Sequence, residues 1–284
     1  MDVSIIIPAY NEEDNIEELL HKLLDDFDYE IIVIDDGSTD STVAKVSSFQ
    51  QIKLLRHPYN IGNGASVRKA IEAASGDIVV CMDSDGQHDP VEIPRLLEFI
   101  PEYDMVIGSR RMNSHVSSFR AFGNTGLKLT AEFLSGHKID DLTSGFRAMK
   151  KDKISEFLHI FPNRYSYPTT SVMAFLCSGK TIKYVRLDSI GKRKNGESHI
   201  QPFRDGLRFI NVMLRMIMLF HPQKIFVPTS LAFFSLGSIF GIRSLMISHK
   251  VVQSSAILLV ASITIFLFGL LAEQISCLVR RSHY

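Results

Sequence analysis

Two stretches near the C-terminus, Ile225–Ile247 and Val251–Leu271, are almost continuously apolar, and this constrains the fold more than any other feature. Arg243 alone interrupts the first with a charge, and the second carries none. A bilayer core about 30 Å thick needs roughly 20 such residues per helix. Both stretches meet that length, and the short link Ser248-His249-Lys250 makes them a helical hairpin. Helices of soluble domains seldom lack a polar face for so long, so membrane spans are expected here rather than buried helices.

The preceding residues have a different pattern. Five short runs rich in Ile and Val, Val3–Ile7, Glu30–Ile34, Ile52–Leu55, Ile78–Met82 and Met105–Ile107, are bounded by turn residues and read as buried strands. The N-terminus has no basic segment and no long apolar core, so it reads as the first strand and not as a signal peptide. Helical patterns lie between the runs. Ile16, Leu19, Leu20, Leu23 and Leu24 share one face, with Asn11 as the expected N-cap. Ala65–Ser75 reads as a helix ended by Gly76, and Asp89-Pro90 as an N-cap followed by proline at the first helical position. Alternating strands and helices predict an α/β fold with a mainly parallel sheet, whose ligands bind at the carboxyl ends of the strands. Farther on, Leu207, Ile210, Leu214, Ile217 and Met218 recur at helical spacing within Phe203–Phe220, beside Arg204, Arg208 and Arg215. This predicts an amphipathic helix in the membrane interface just before the first span. The expected division is a globular domain over 1–202, a juxtamembrane helix over 203–224, and the hairpin with a short tail over 225–284.

Charge is balanced, with 31 Lys+Arg against 31 Asp+Glu, and gives no sign of a nucleic-acid partner. Its distribution is uneven: the first half is rich in Asp, while basic residues dominate from Lys192 onward. That suggests metal chemistry at one end and a phosphate or membrane surface at the other. Cys81, Cys177 and Cys277 are far apart and read as ordinary thiols in a reducing compartment.

Three acidic segments fall directly after expected strands. Asp83-Ser84-Asp85-Gly86-Gln87 follows Ile78–Met82, and its two carboxylates can turn toward one hard cation, Mg²⁺ or Mn²⁺, that keeps open positions for phosphate oxygens. Pro8-Ala9-Tyr10-Asn11-Glu12 follows the first strand, and Asp35-Asp36-Gly37-Ser38-Thr39-Asp40 the second. Tyr10 can stack on a nucleobase, and an Asp can accept hydrogen bonds from base or ribose. Any one of these segments alone fits a capped turn equally well. Three of them on one sheet edge favour a nucleotide site.

Taken together with Gly108-Ser109-Arg110, these motifs resemble the family 2 glycosyltransferases of the GT-A fold. Asp141-Leu142-Thr143-Ser144-Gly145-Phe146-Arg147 and Arg193-Lys194-Asn195-Gly196-Glu197-Ser198 narrow the resemblance to the polyprenyl-phosphate sugar transferases, including dolichyl-phosphate mannose synthases and bacterial polyprenyl-phosphate glucosyltransferases. The resemblance covers about residues 2 to 200, and some members also have paired C-terminal spans. It implies that Pro8, Tyr10 and Glu12 line the nucleotide pocket with Asp36 and Asp40 near it, and that Asp83, Asp85 and Gln87 ligate the metal. It places Arg110, Ser144 and Arg147 at the acceptor phosphate or donor diphosphate, and Arg193 and Ser198 on the loop that covers the donor. Many relatives have Lys after that Ser, where this chain has His199, a group that titrates near neutral pH.

The reaction so implied moves a hexose from a UDP- or GDP-sugar to polyprenyl phosphate. The acceptor is already an anion and needs no strong base, so alignment and electrostatic stabilisation of the departing nucleotide carry catalysis, and direct displacement inverts the anomeric centre. Asp85, Arg110 and Arg147 are the expected catalytic residues. Asp141 is a further candidate as base or positioning group, and equally a residue that fixes Arg147 or caps a helix. The basic set Arg110, Arg120 and Arg147 ahead of a membrane hairpin favours a lipid phosphate over an anchored enzyme with a soluble or protein acceptor, and the intact acidic clusters at Asp83–Asp85 and Asp35–Asp40 argue against a non-enzymatic scaffold. His88 reads as a phosphate contact or a cap, and His21, His57 and His159 show no metal-ligand spacing. Gly62-Asn63-Gly64 is similar to a phosphate-gripping loop, but the family resemblance implies a tight turn before a helix beside the donor. A cytoplasmic catalytic domain follows from the donor's location. Homo-oligomerisation, the sugar and the base are left open by the sequence.

Overall fold

The computed structural model describes residues 1–109, 128–133, 135–164, 166–187, 211–212, 214–248 and 252–281. Its chain forms two compact units, Met1–Val212 and Met213–Tyr284.

The first unit is built on a seven-stranded sheet: β1 Val3–Ala9, β2 Glu30–Asp35, β3 Lys53–Arg56, β4 Ile78–Cys81, β5 Met105–Ser109, β6 Arg147–Lys150 and β7 Ile182–Arg186. The strand order is β3-β2-β1-β4-β6-β5-β7. All neighbours run parallel except at β6, which is antiparallel to both β4 and β5. The five expected strands are present, with ends shifted by one or two residues. β6 and β7 were not expected. β6 is four residues long and begins and ends on a cation, and β7 alternates Ile-Lys-Tyr-Val-Arg at the sheet edge, so neither has the continuous apolar run of an inner parallel strand.

The core explains the apolar runs. Ile5, Ile6 and Ile7 of β1 are all fully buried, because helices cover both faces of the central strands. α1 (Ile16–Asp26) packs Ile16, Leu19, Leu20 and Leu23 inward as the periodicity predicts. Its N-cap is Asn15 and not Asn11. Asn11 instead has φ +53° and joins the loops after β1 and β2: its Oδ1 accepts from the Thr39 amide at 2.9 Å, and its own amide donates to Ser38 Oγ at 3.0 Å. After α2 (Thr42–Ser47), α3 spans Asn63–Ala73, beginning and ending earlier than expected. Gly76 does not cap it. It lies where the chain passes closely over Asp2 and Ser4, with a would-be Cβ 2.7 Å from Asp2 O. Asp89 caps a short 3₁₀ turn over Pro90–Glu92 by accepting from the Val91 amide, as expected, and α4 (Ile93–Leu97) follows.

The second unit contains helices Gln223–Ser248 and Gln253–Arg281. Within them Gln223–Ile247 and Gln253–Val279 are long and apolar enough to cross a membrane, with mean hydropathy 1.8 and 2.5. Close packing between the two is made by small residues. A Cβ on Gly237 would sit 3.1 Å from Leu258 and Leu259, and Ser262 Oγ donates to Ser230 O at 2.8 Å. Of the expected amphipathic helix, residues 214–220 are helical, with Leu214 and Met218 exposed and Met216, Ile217 and Phe220 buried; residues 203–210 lie outside the described part.

Candidate nucleotide-binding and metal site

The carboxyl ends of β1, β2 and β4 meet at one cleft of about 370 Å³. Pro8, Ala9, Tyr10 and Glu12 enter it from β1 and its loop, Asp36 from the end of β2, and Asp83, Ser84 and Asp85 from the loop after β4. Asn60, Gly62, Asn63 and Ser66 close one side at the start of α3, and Arg164 reaches in from the segment before helix Tyr167–Cys177. Hydrogen bonds hold these loops together: the Asp36 amide donates to Ala9 O at 2.9 Å, and the Ser84 side chain donates from Oγ to Pro8 O at 3.0 Å. Tyr10 is 44% exposed, so its ring is free to lie against a planar ligand.

Asp36 is buried and already fully engaged. Its Oδ1 is 2.8 Å from His57 Nδ1 and accepts from the Ile61 amide at 3.0 Å, while Oδ2 accepts from the Gly62 amide at 2.8 Å. The carboxylate therefore shapes the cleft wall at residues 60–62. Gly62 has φ +122°, and a Cβ there would fall 2.5 Å from Arg164 Cα, so only glycine allows segment 162–164 to close over the start of α3. The Ala65 amide donates to Asn163 O at 2.9 Å. Gly62 and Asn63 thus form part of the cleft wall. His57, which showed no pattern in the sequence, orients Asp36. Arg164 was missed, since nothing in the sequence relates it to residues a hundred positions earlier.

Asp83 and Asp85 are the two carboxylates of this cleft that lie nearest each other in sequence, and the donor set is hard oxygen. Among the described residues there is no cluster of three or more His, Cys, Asp or Glu side chains that could hold a metal. Mg²⁺ and Mn²⁺ take one or two carboxylates and complete their shell with water and phosphate oxygens, so the hard-oxygen donors of Asp83 and Asp85 have the chemistry of such a site. The backbone at Gly145 leaves room for Asp83: a Cβ there would stand 2.7 Å from its Oδ1. The residues present therefore fit such an ion. Among the described lining residues Glu12, Asp36, Asp83 and Asp85 face the single cation Arg164, so this part of the wall is acidic, and a diphosphate needs a cation between it and the aspartates.

Other expected site residues are placed differently. Gln87 is not on the cleft wall; its main-chain amide donates to Asp85 Oδ1 at 3.1 Å and fixes the loop. Asp40 is not among the residues that line the cleft and ties the start of α2 to the first loop. Its Oδ1 accepts from the Thr42 amide and hydroxyl, and its Oδ2 from the Glu13 amide. Burial pushes its carboxyl up, but these bonds outweigh that and hold it below the usual range. Asp141 Oδ1 accepts from the Thr143 amide and hydroxyl and the Ser144 amide, which makes it a turn residue. Ser144 and Arg147, expected at a phosphate, are both fully buried. Ser144 Oγ donates to Gly108 O at 2.7 Å, and the Arg147 guanidinium is bonded to protein carbonyls and Ser171, so neither presents a donor to the cleft. Arg147 does not pair with Asp141. His88 is buried and stacks on Phe146 at 5.1 Å between ring centroids, and the cap beside it is Asp89. Arg110, Arg120, Arg193, Ser198 and His199 lie outside the described residues.

Fold and site together define an α/β protein with an acidic cleft at the carboxyl edge of a mostly parallel sheet and two long apolar helices near its C-terminus. Residues 4–158 match the model of the glycosyl transferase family 2, and residues 221–278 that of the GtrB C-terminal hairpin. The chain belongs to the family 2 glycosyltransferases, with a GT-A-like fold. It is 34% identical over 215 residues to a dolichol-phosphate mannosyltransferase of Pyrococcus furiosus, a match covering 71% of this chain and 60% of that protein. It is 29% identical over 262 residues to an undecaprenyl-phosphate 4-deoxy-4-formamido-L-arabinose transferase of Pseudomonas fluorescens, covering 84% of this chain and 71% of that one. Among solved structures, glucosyl-3-phosphoglycerate synthase of Mycobacterium tuberculosis, in complex with Mn²⁺, UDP and glucosyl-3-phosphoglycerate, matches with a TM-score of 0.61 at 21% identity, over 76% of this chain and 79% of that one.

Proposed function

We propose that this chain is a membrane-anchored, metal-dependent, inverting glycosyltransferase that moves a hexose from a UDP- or GDP-sugar to polyprenyl phosphate. The observation that carries the reading is the convergence of Tyr10, Asp36, Asp83 and Asp85 on one cleft, in a chain that ends in two helices long and apolar enough to cross a bilayer. The names of the relatives support a lipid-phosphate acceptor. Tyr10 and the wall at Asn60–Asn63 would hold the base and ribose, and Arg164 would meet a negative part of the donor. Asp83 and Asp85 would hold a divalent cation, whose charge, when bound, neutralises the leaving diphosphate. Arg110 and Arg120 remain the residues assigned to the acceptor phosphate, and Arg193 and Ser198 those assigned to the loop that covers the donor. The catalytic unit faces the cytoplasm, where nucleotide sugars are found, and the hairpin keeps the acceptor's lipid tail in the membrane.

The test is transfer by the purified full chain, in detergent, from a panel of UDP- and GDP-sugars to polyprenyl phosphate, with Mg²⁺, Mn²⁺ or chelator. A chelator-sensitive lipid-linked sugar is expected. Transfer to a soluble phosphate ester but not to polyprenyl phosphate would replace the lipid acceptor with a soluble one. No donor turnover with any acceptor would remove the enzymatic reading.

A further inference from the structure

β6 runs against β4, so the residues that precede it lie at the same sheet edge as those that follow β4. Cys81 pairs with Arg147, and continuing that register by two residues sets Gly145 opposite Asp83. The contact is close: a Cβ on Gly145 would lie 2.7 Å from Asp83 Oδ1 and 2.8 Å from its Cγ. The Asp83 carboxylate thus rests on the bare main chain of Gly145.

That main chain is tied from below. Arg147 Nη2 donates to Ser144 O, and the Tyr167 hydroxyl donates to Gly145 O at 3.1 Å. Arg147 is anchored in turn on helix Tyr167–Cys177, where Nη1 donates to Pro168 O at 3.0 Å and to Ser171 Oγ at 2.7 Å. Its guanidinium carbon stands 5.6 Å from the Tyr167 ring centroid. Arg147 is fully buried, and among the described residues no carboxylate pairs with it. Burying a guanidinium without a counter-ion is costly, and its forked donors here span two carbonyls on different elements, which a point cation cannot do.

We propose that Arg147 is a positioning residue that sets the Asp83 carboxylate for a divalent cation, acting through the Ser144–Gly145 peptide. The inference rests on the metal reading of Asp83 and Asp85 and adds what orients the first of them. Partners that orient a metal ligand contribute about ten- to hundredfold in metal affinity.

The experiment is Mn²⁺ binding by the full chain in detergent, read from the free-Mn²⁺ electron paramagnetic resonance signal with UDP or GDP present, beside the thermal midpoint without metal. Gly145→Ala pushes directly on Asp83, and both it and Arg147→Lys are expected to weaken Mn²⁺ binding by about ten- to hundredfold. Gly145→Ala should do so with little change in the metal-free midpoint. If Arg147→Lys does not fold, Ser171→Ala removes one anchor of the guanidinium without burying a new charge and should weaken Mn²⁺ binding in the same direction. Parental Mn²⁺ affinity in Gly145→Ala overturns the proposal. So does a lowered midpoint with parental Mn²⁺ affinity in Arg147→Lys or Ser171→Ala, since Arg147 is then only structural. A parent chain that binds no Mn²⁺ with either nucleotide overturns the metal reading itself, and the inference falls with it.

Discussion

Replacing Asp36 with Asn tests how the cleft wall is held. The carboxylate takes His57 and Ile61 on Oδ1 and Gly62 on Oδ2, at 2.8, 3.0 and 2.8 Å. An asparagine that puts its carbonyl at the Oδ1 position keeps two of these bonds, and its NH₂ then faces the Gly62 amide, donor against donor. A charge-assisted bond of about 1.5–3 kcal/mol is lost and a buried N–H is left unsatisfied. Because residues 60–63 form the wall, part of that loss should appear in donor binding as well as in stability. A penalty of about 2 kcal/mol weakens UDP or GDP binding by roughly thirtyfold. The chain has no tryptophan, so the assay is isothermal titration of the nucleotide with Mn²⁺ present, alongside a calorimetric midpoint. Unchanged affinity and unchanged midpoint in Asp36→Asn would show that the three bonds do not organise the wall.

Asp85→Ala should remove most metal-dependent turnover while leaving the thermal midpoint near the parent's, because the loop lies at a strand end; near-normal activity in chelator-treated parent enzyme would contradict this. Arg164→Ala should weaken nucleotide-diphosphate binding by about one to two decades if the guanidinium makes one charged hydrogen bond to the donor, and parental titration curves would exclude that contact. Asp104 accepts from the Thr181 amide and hydroxyl and from Lys150; burial raises its carboxyl, but these bonds outweigh it and hold the carboxyl below its ordinary value. A depressed acid stabilises the fold above its unfolded pKa of about 3.9 and ceases to as pH falls through its folded value, so Asp104→Asn should be less stable at neutral pH and show a shallower acid limb. Equal acid limbs in urea titrations would refute that role. If the hairpin returns the C-terminus to the cytoplasmic side, as Arg280-Arg281 and the positive-inside rule suggest, protease added to that face should cleave the tail, and a protected tail would refute the topology.

Much of the cleft-lining edge was legible because it is local. Asp83 and Asp85 follow a strand whose apolar run marks it as buried, and parallel topology sends the ends of such strands to one edge. Four of the motif residues are placed where their motifs gave no sign of it. Arg147 and Ser144 carry the right chemistry for phosphate, yet both point into protein. Asp40 and Asp141 have the composition of a site and serve as turn residues. A short motif fixes which groups are present and does not fix the direction in which they point.

The sequence by itself determined the α/β alternation, the acidic strand ends and the paired apolar helices, because hydrophobic periodicity and turn chemistry act over a few residues. Only the tertiary structure decided that β6 enters the sheet against its neighbours, and this single reversal brings Gly145 beneath Asp83 and buries Arg147 behind it. Tertiary structure likewise joined Arg164 to Gly62 and His57 to Asp36. Those pairs are set by strand order and by a close backbone approach, and contacts between residues far apart in the chain leave no periodic trace in either segment.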